Sequence, residues 1–592
     1  MTDLVVFSRK YIVLILAGIA CLSIPLFFVA EERFSYARIE EFTKEHSIVE
    51  DISFSAVENL SIKINETEDP VLYRAYLPGI KSRKRPVRIS FSRISFVEIG
   101  DQEFKSGDEI GGFASEQEGN PLPFKIYAAK GELLYDGYLE FWFTDTTPVA
   151  YLSASENAID LINATEDVTN KPRIQSEIII INSEGDIDTI ESAKLFRHGN
   201  SSFMDYETKP YSLNLDASRS LLGMPAGKKW VLKANGMDNT QLLRNETAFN
   251  FARRMSLLPC SDTRFVNLYI NGKYNGLYML IQRVDAAELM GFSDPGNEWL
   301  LEEDQSHSMQ EDFFTVDDRD IVIHYPYPVS EEKKEYIKEK YKSAKEAVQN
   351  DSDYEKYIDV ESFVKMYIIQ DFFAQVDIDQ SSMFLYLDED DRFHAGPLWD
   401  FDLCCGLTGS RVYHEELTKR SRYIESKKDA GLFLYDLGKS ERFMEKVREY
   451  YLNEYEKNVI EYMNGDWQNE LRIINKSMEV SLLKTGRADR GKGTCDSPDI
   501  LADWINERNE YLSSFYRENK EFVEITFHFA WGEMKALVEK DKPVGFLPDD
   551  NHYGNDDSFW GDIIGFSDAS GKIVDDTFST GINTDLYAVY AD

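Results

Sequence analysis

The sequence predicts a multidomain α+β fold, on three observations. At 592 residues the chain is too long for one hydrophobic core and calls for three or four domains. Strand-like alternation fills its first third, whereas apolar residues at helical spacing dominate from about residue 330. An aromatic content of 13% with regular apolar periodicity excludes wholesale disorder. The expected order is a membrane helix over residues 1–30, a β-sandwich-like domain over 31–180, a domain of strands then helices over 181–520, and a small β module over 521–592.

Residues 11–30 are twenty uncharged, mostly apolar positions, preceded by Arg9 and Lys10 and followed by Glu31 and Glu32. About 20 such residues span a bilayer, and the basic flank stays cytoplasmic, which puts the rest of the chain outside. A cleaved signal peptide is the competing reading, giving a secreted protein, but its apolar region usually runs about 7 to 15 residues. Cys21 as a lipoprotein cysteine fits poorly, with Gly18 three residues before it. Expected, then, is an uncleaved single-pass anchor with an extracytoplasmic bulk.

Residues 34–180 read as short strands between Gly-rich or Asp-rich turns, for example V-R-I-S-F-S-R-I-S-F at 87–96 and L-Y-D-G-Y-L-E-F-W-F at 134–143. No catalytic constellation stands out there, so a spacer is the expected role. The formal net charge of −40 argues against a nucleic-acid partner, since phosphate backbones would be repelled. Five cysteines make no disulfide framework in a chain of this size. Cys404 and Cys405 are adjacent, and with no zinc spacing present the cysteines are expected as small buried apolar residues.

Two acidic doublets carry the chemistry. V-D-I-D occupies 376–379 and L-W-D-F-D occupies 398–402, at either end of an expected hairpin built from M-F-L-Y-L (383–387), the turn D-E-D-D, and R-F-H-A. Asp377, Asp379, Asp400 and Asp402 would then gather at one end. Carboxylates that close repel, and hard oxygen ligands suit Mg²⁺ or Mn²⁺. Aspartates also cluster in ordinary turns, but apolar Trp399 and Phe401 around the second doublet favour a site.

The stretches F-R-H-G-N-S-S (196–202), K-P-Y-S-L-N-L (209–215), K-K-W-V-L-K-A-N-G-M-D-N-T-Q-L-L-R-N (228–245), L-Y-I-N-G-K-Y-N-G-L-Y (268–278) and P-L-W-D-F-D (397–402) stand in this order. In identity, order and spacing they resemble the spore-coat-protein-H (CotH) kinase family, an atypical two-lobed branch of the protein-kinase-like fold. The resemblance implies ATP with Mg²⁺, Mn²⁺ being an alternative. It assigns Asp377 to the acceptor hydroxyl and Asp400 to the metal, with Asp402 and Asp379 as helpers.

The motifs also read physically as a nucleotide cleft. Gly199, Asn200 and Ser201 offer amides and hydroxyls with little bulk, as a phosphate-covering loop needs. Lys209 follows on the next strand and can reach phosphates, and Arg244 opens a helix where it can meet a phosphate or pair with Asp238. N-G-K-Y-N-G reads as a hairpin turn and architecture. Ser330 is the expected N-cap of a helix to about residue 350, residues 359–375 form a second and strongly apolar helix, and further helices are expected around 440–463 and 498–519. Three positions depart from the family pattern: Ser382 where Asn is expected, His198 for Arg, and Gln282 for Glu.

The last stretch, from residue 523, resembles a Listeria-Bacteroides surface repeat through I-T-F-H-F, Leu547-Pro548, F-W-G-D-I-I-G-F, D-A-S-G-K and T-D-L-Y-A-V-Y. Three functions remain: an extracytoplasmic kinase moving the γ-phosphoryl of ATP to Ser or Thr of a surface or secreted protein, a non-catalytic surface scaffold or pseudokinase, and a D-x-D nucleotide-sugar transferase. The lack of a parallel α/β pattern before the doublet counts against the last.

Overall fold

The computed structural model describes residues 48–590 apart from 56–59, 81–85, 168–169, 200–207, 235–237, 239, 241, 258, 308–310, 408–411, 414–417, 428–430, 487–496, 518–521, 530–531, 549–550 and 553–562. The expected anchor at 11–30 lies outside the described residues. Among them no helix is long and apolar enough to cross a membrane. The fold is a mixed α+β one with several sheets. Two compact units form it, one of Met1–Ala234, Arg264–Leu280 and Ile473–Ala488, the other of Asn235–Thr263, Ile281–Arg472 and Asp489–Asp592.

In the first unit a three-stranded sheet, with Ser53–Ser55 at its centre, and a six-stranded sheet share one core. Phe54 and Phe141, one from each sheet, meet edge to face at 5.8 Å. The alternation at 87–96 predicts one strand, but the structure has Arg88–Ser90 and Phe96–Ile99 with a break between them. The Asp51 carboxylate accepts from the amides of Ser92 (2.9 Å) and Arg93 (2.7 Å), offering the backbone a partner other than a neighbouring strand.

The first unit also carries most of a closed barrel, in the order Val149–Ser153, Ile174–Ile181, Ile187–Arg197, Tyr211–Arg219, Gly227–Lys233, Lys273–Gln282, Thr263–Ile270. Val149–Ser153 closes it, antiparallel to Ile174–Ile181 and parallel to Thr263–Ile270. The barrel therefore begins at Val149, ahead of the boundary expected at residue 181. A closing strand and a sandwich strand carry the same alternation, so the pattern alone does not separate them. Leu152, Ile178, Leu213, Trp230 and Leu268 fill its interior. The Asn271-Gly272 turn takes the positive φ values its sequence demands, 50° and 87°.

In the second unit, a five-stranded sheet runs Phe313–Val316, Arg319–Tyr325, Trp299–Glu303, Met383–Leu387, Phe393–Ala395. Ser330 caps the helix Glu331–Gln349 by accepting from the Lys333 amide at 3.3 Å. The helix Val360–Phe373 is capped by Asp359, which accepts from Ser362 at 2.9 Å, and every residue from Phe363 to Phe373 is buried. Such all-round burial fits a strongly apolar helix, and it takes in Lys365, Gln370 and Asp371 as well.

Helices Glu441–Tyr450, Glu456–Asn464 and Pro498–Tyr516 lie where helical spacing places them. The helix Asp466–Lys484 has no counterpart in the sequence reading, its D-W-Q-N start following a glycine. From the last of the four, fully buried Arg508 donates to the carbonyls of Asp371 (2.7 Å), Phe372 (3.2 Å), Lys419 (3.0 Å) and Ser421 (2.5 Å). Two of these belong to the last turn of Val360–Phe373, where carbonyls run short of partners within the helix. The guanidinium thus supplies donors to that helix end.

A separate five-stranded sheet follows, ordered Gly532–Glu539, Phe522–Phe529, Thr584–Tyr590, Ile563–Asp568, Ile573–Val574, over a core of Ile525, Phe527, Val538, Phe566 and Leu586. The D-A-S-G-K segment is a turn, in which Asp568 accepts from the amides of Ser570 (2.9 Å) and Lys572 (3.1 Å).

Candidate functional site

The buried helix Val360–Phe373 stops at Ala374, whose φ of 48° turns the chain into the single 3₁₀ turn Val376–Asp379. Two backbone bonds tie the helix end and this turn to the segment just after the second doublet: the Val376 amide to the Leu403 carbonyl (3.0 Å), and the Cys405 amide to the Phe373 carbonyl (2.7 Å). Between the doublets the expected hairpin is present, with Leu385 opposite Ala395, Tyr386 opposite His394 and Leu387 opposite Phe393. The two acidic segments therefore share one end of it.

Electrostatics follow from that placement. Burial, then the charges of Asp400 and Asp379, push the Asp377 carboxyl up to about 6, while Lys427 works in the opposite direction. Lys427 Nζ lies 3.7 Å from Asp379. Burial raises the Tyr423 phenol, and Asp379 and Asp377 add to it. Asp400 and Asp402 are both half-buried.

The carboxylates stand further apart than a gathered quartet. Among the described residues, the one group with three ligand atoms within 4.8 Å of one another is Asp388, Asp390 and His394, in the hairpin turn. There Arg392 already lies 2.6 Å from Asp390, a turn held by its own cation. Like charges at the doublets push each other away, which the spacing of aspartates in a sequence does not register.

Asp238 and Arg244 form an ion pair of 2.5 Å with both side chains fully buried. Asp238 also accepts from the amide (3.0 Å) and hydroxyl (2.5 Å) of Thr240, and Arg244 Nε donates to the Cys404 carbonyl at 3.1 Å. Of the two partners the sequence leaves open for Arg244, a phosphate or Asp238, the structure shows Asp238, and Arg244 also reaches the segment just after Asp402 through Cys404. Beside Arg244, Asn245 accepts from the Phe401 amide at 2.8 Å, and Gln375 donates to the Asp400 carbonyl at 2.9 Å. Sequence reasoning misses both amides, because Asn and Gln carry no signal of burial and nothing in the spacing pairs positions so far apart.

The phosphate-loop candidates belong to the first unit. Gly199 has φ 86°, and its carbonyl accepts from Lys171 Nζ at 2.7 Å. Asn200 and Ser201 lie outside the described residues. Lys209 is half-buried, and its carbonyl accepts from the Tyr278 hydroxyl at 3.0 Å. Of the three departures, His198 Nδ1 lies 2.9 Å from the Ser212 hydroxyl. Gln282 is buried, its carbonyl bonded by Ser261 at 2.9 Å, and Ser382 has φ 65°. Cys404 and Cys405 are buried free thiols, as expected, while Cys260 is half-buried.

A family model described as CotH kinase protein matches residues 196–512, more than half of the chain. The chain belongs to the CotH kinase family. The CotH match covers every candidate residue from Gly199 to Asp402 and stops ahead of the C-terminal sheet. No curated protein matches the chain.

Proposed function

We propose that this CotH-family kinase transfers the γ-phosphoryl of ATP to a Ser or Thr hydroxyl of a surface or secreted protein. The observation that carries the reading is Asp377, a carboxylate pushed up to about 6 by burial beside Asp400 and Asp379. A group with that affinity for protons is ionised at neutral pH yet able to take one, as a general base requires. Asp377 orients the acceptor hydroxyl and receives its proton. Asp400, assisted by Asp402 and Asp379, supplies the carboxylate oxygens that suit Mg²⁺ or Mn²⁺. The negative field these groups impose on Asp377 is what a cation would relieve. When bound, the cation supplies charge neutralisation at the phosphates. Gly199, Asn200, Ser201 and Lys209 are assigned to the phosphates, while Arg244 and Asp238 hold the Asp400 loop in place.

The hydrophobic run at 11–30 and the likeness of the C-terminal sheet to a surface repeat support an anchored, extracytoplasmic enzyme. A catalytically silent scaffold is the second reading, favoured by Ser382, a weaker metal ligand than Asn. Titration calorimetry on the purified protein separates the classes. Mg²⁺-dependent ATP binding is expected, weakened about tenfold or more in Asp400→Ala. Binding of a nucleotide sugar with Mn²⁺ in place of ATP overturns the kinase reading, and ATP binding without transfer marks the scaffold.

A further inference from the structure

The Asp400 carbonyl and the Phe401 amide are two ends of one peptide unit, and each is held by a different buried side-chain amide. Gln375, 1% exposed and two residues before Asp377, donates to the carbonyl at 2.9 Å. Asn245, 0% exposed and next to Arg244, accepts from the N–H at 2.8 Å. Neither amide can be turned over, because a reversed Gln375 would face oxygen with oxygen and a reversed Asn245 would face N–H with N–H.

The arrangement is costly. Gln375 Oε1 and Asn245 Nδ2 are buried without a hydrogen-bond partner. Asp400 itself sits at φ 60°, in the left-handed region that favours glycine. Unsatisfied buried groups and backbone strain on a single peptide mark a place where position outweighs stability.

We infer that Gln375 and Asn245 are positioning residues that clamp the Asp400–Phe401 peptide and so aim the Asp400 carboxylate. The inference rests on the kinase reading for its catalytic consequence, but the clamp itself does not. Rotating that peptide swings Asp400 about its own backbone, whereas Phe401, fully buried against Phe373 at 5.8 Å, keeps the next residue fixed. Gln375 stands just ahead of the turn carrying Asp377, so the clamp couples the two aspartates through one side chain. Asn245 brings in the helix Leu243–Arg254. Three sequence-distant segments thereby agree on where one carboxylate points.

The test uses the full chain with Gln375→Leu, which removes the donor, Asn245→Leu, which removes the acceptor, and Asn245→Asp, which keeps the acceptor. Three readouts are taken: kcat and KM for ATP, the dissociation constant for Mn²⁺ alone, and amide exchange over residues 398–405. Expected for both Leu variants is a fall of about 10- to 100-fold in kcat, with KM for ATP changed less than about threefold. Mn²⁺ affinity drops about tenfold and the segment exchanges faster, while Asn245→Asp recovers most of each loss. Unchanged exchange and Mn²⁺ affinity in both Leu variants would overturn the clamp, as would an Asn245→Asp loss equal to that of Asn245→Leu. A wild-type protein that transfers no phosphoryl group fails the kinase reading alone, since exchange and Mn²⁺ affinity still decide the clamp.

Discussion

Asp377→Asn is expected to have two opposite effects: phosphoryl transfer falls by about 10³-fold, and the metal-free protein becomes more stable. The second follows from the first residue's position. In the fold its carboxyl titrates at about 6 against an ordinary 3.8, because burial and the neighbouring Asp400 and Asp379 penalise its charge. The folded state therefore holds a proton that the unfolded chain releases between those values. Well below its ordinary 3.8, at about pH 3, the carboxyl is neutral in both states and costs nothing. As pH rises through the window the penalty grows, and above about 6 it is complete, on the order of 2 kcal/mol for a group that keeps some solvent contact. Urea denaturation in EDTA at several pH values measures this: the advantage of the Asn variant should be small near pH 4 and full by pH 8. Added Mg²⁺ should shrink it, since a cation lowers the same pKa. An advantage independent of pH would contradict the assigned cause.

The second large effect is at Arg244. Arg244→Leu leaves Asp238 as an unpaired charge at a site with no exposed side-chain surface, and takes the Nε–H from the Cys404 carbonyl. Removing one partner of a buried pair costs about 3–5 kcal/mol. Arg244→Lys should recover little, because a single ammonium lacks the fork that reaches Asp238 and Cys404 together. Combining Arg244→Leu with Asp238→Leu should be less damaging than the sum of the single changes, since the stranded charge is gone. Chemical denaturation of the four variants reads the coupling; single changes that each cost under about 1 kcal/mol would show the pair to be incidental.

Those two residues also show what was legible beforehand. Helix Val360–Phe373, the hairpin from Met383 to Ala395 and the Asn271-Gly272 turn could be read because local pattern determines them: a strongly apolar stretch of helix length, an apolar and aromatic run of strand length ahead of a polar turn, and a dipeptide that tolerates positive φ. The placement of both doublets at one end of the hairpin follows from that local reading. The barrel's start at Val149 was not legible, because closure is a long-range pairing of Val149–Ser153 with Thr263–Ile270 that leaves no local trace. Nor were the roles of Asn245 and Gln375, since a buried amide differs from an exposed one only in its surroundings. Arg244 was legible as a residue of consequence but not as to its partner: the sequence offers a phosphate or Asp238 equally, and the fold gives it Asp238.

Transfer of labelled γ-phosphate from ATP to a Ser- or Thr-bearing protein, compared between wild type and Asp400→Ala at saturating Mg²⁺, tests the central claim most directly. Mg²⁺-dependent incorporation by the wild type and a loss of about 10³-fold or more in the variant is the predicted result. Equal incorporation by the two proteins, or none by a wild type that binds ATP, would contradict it.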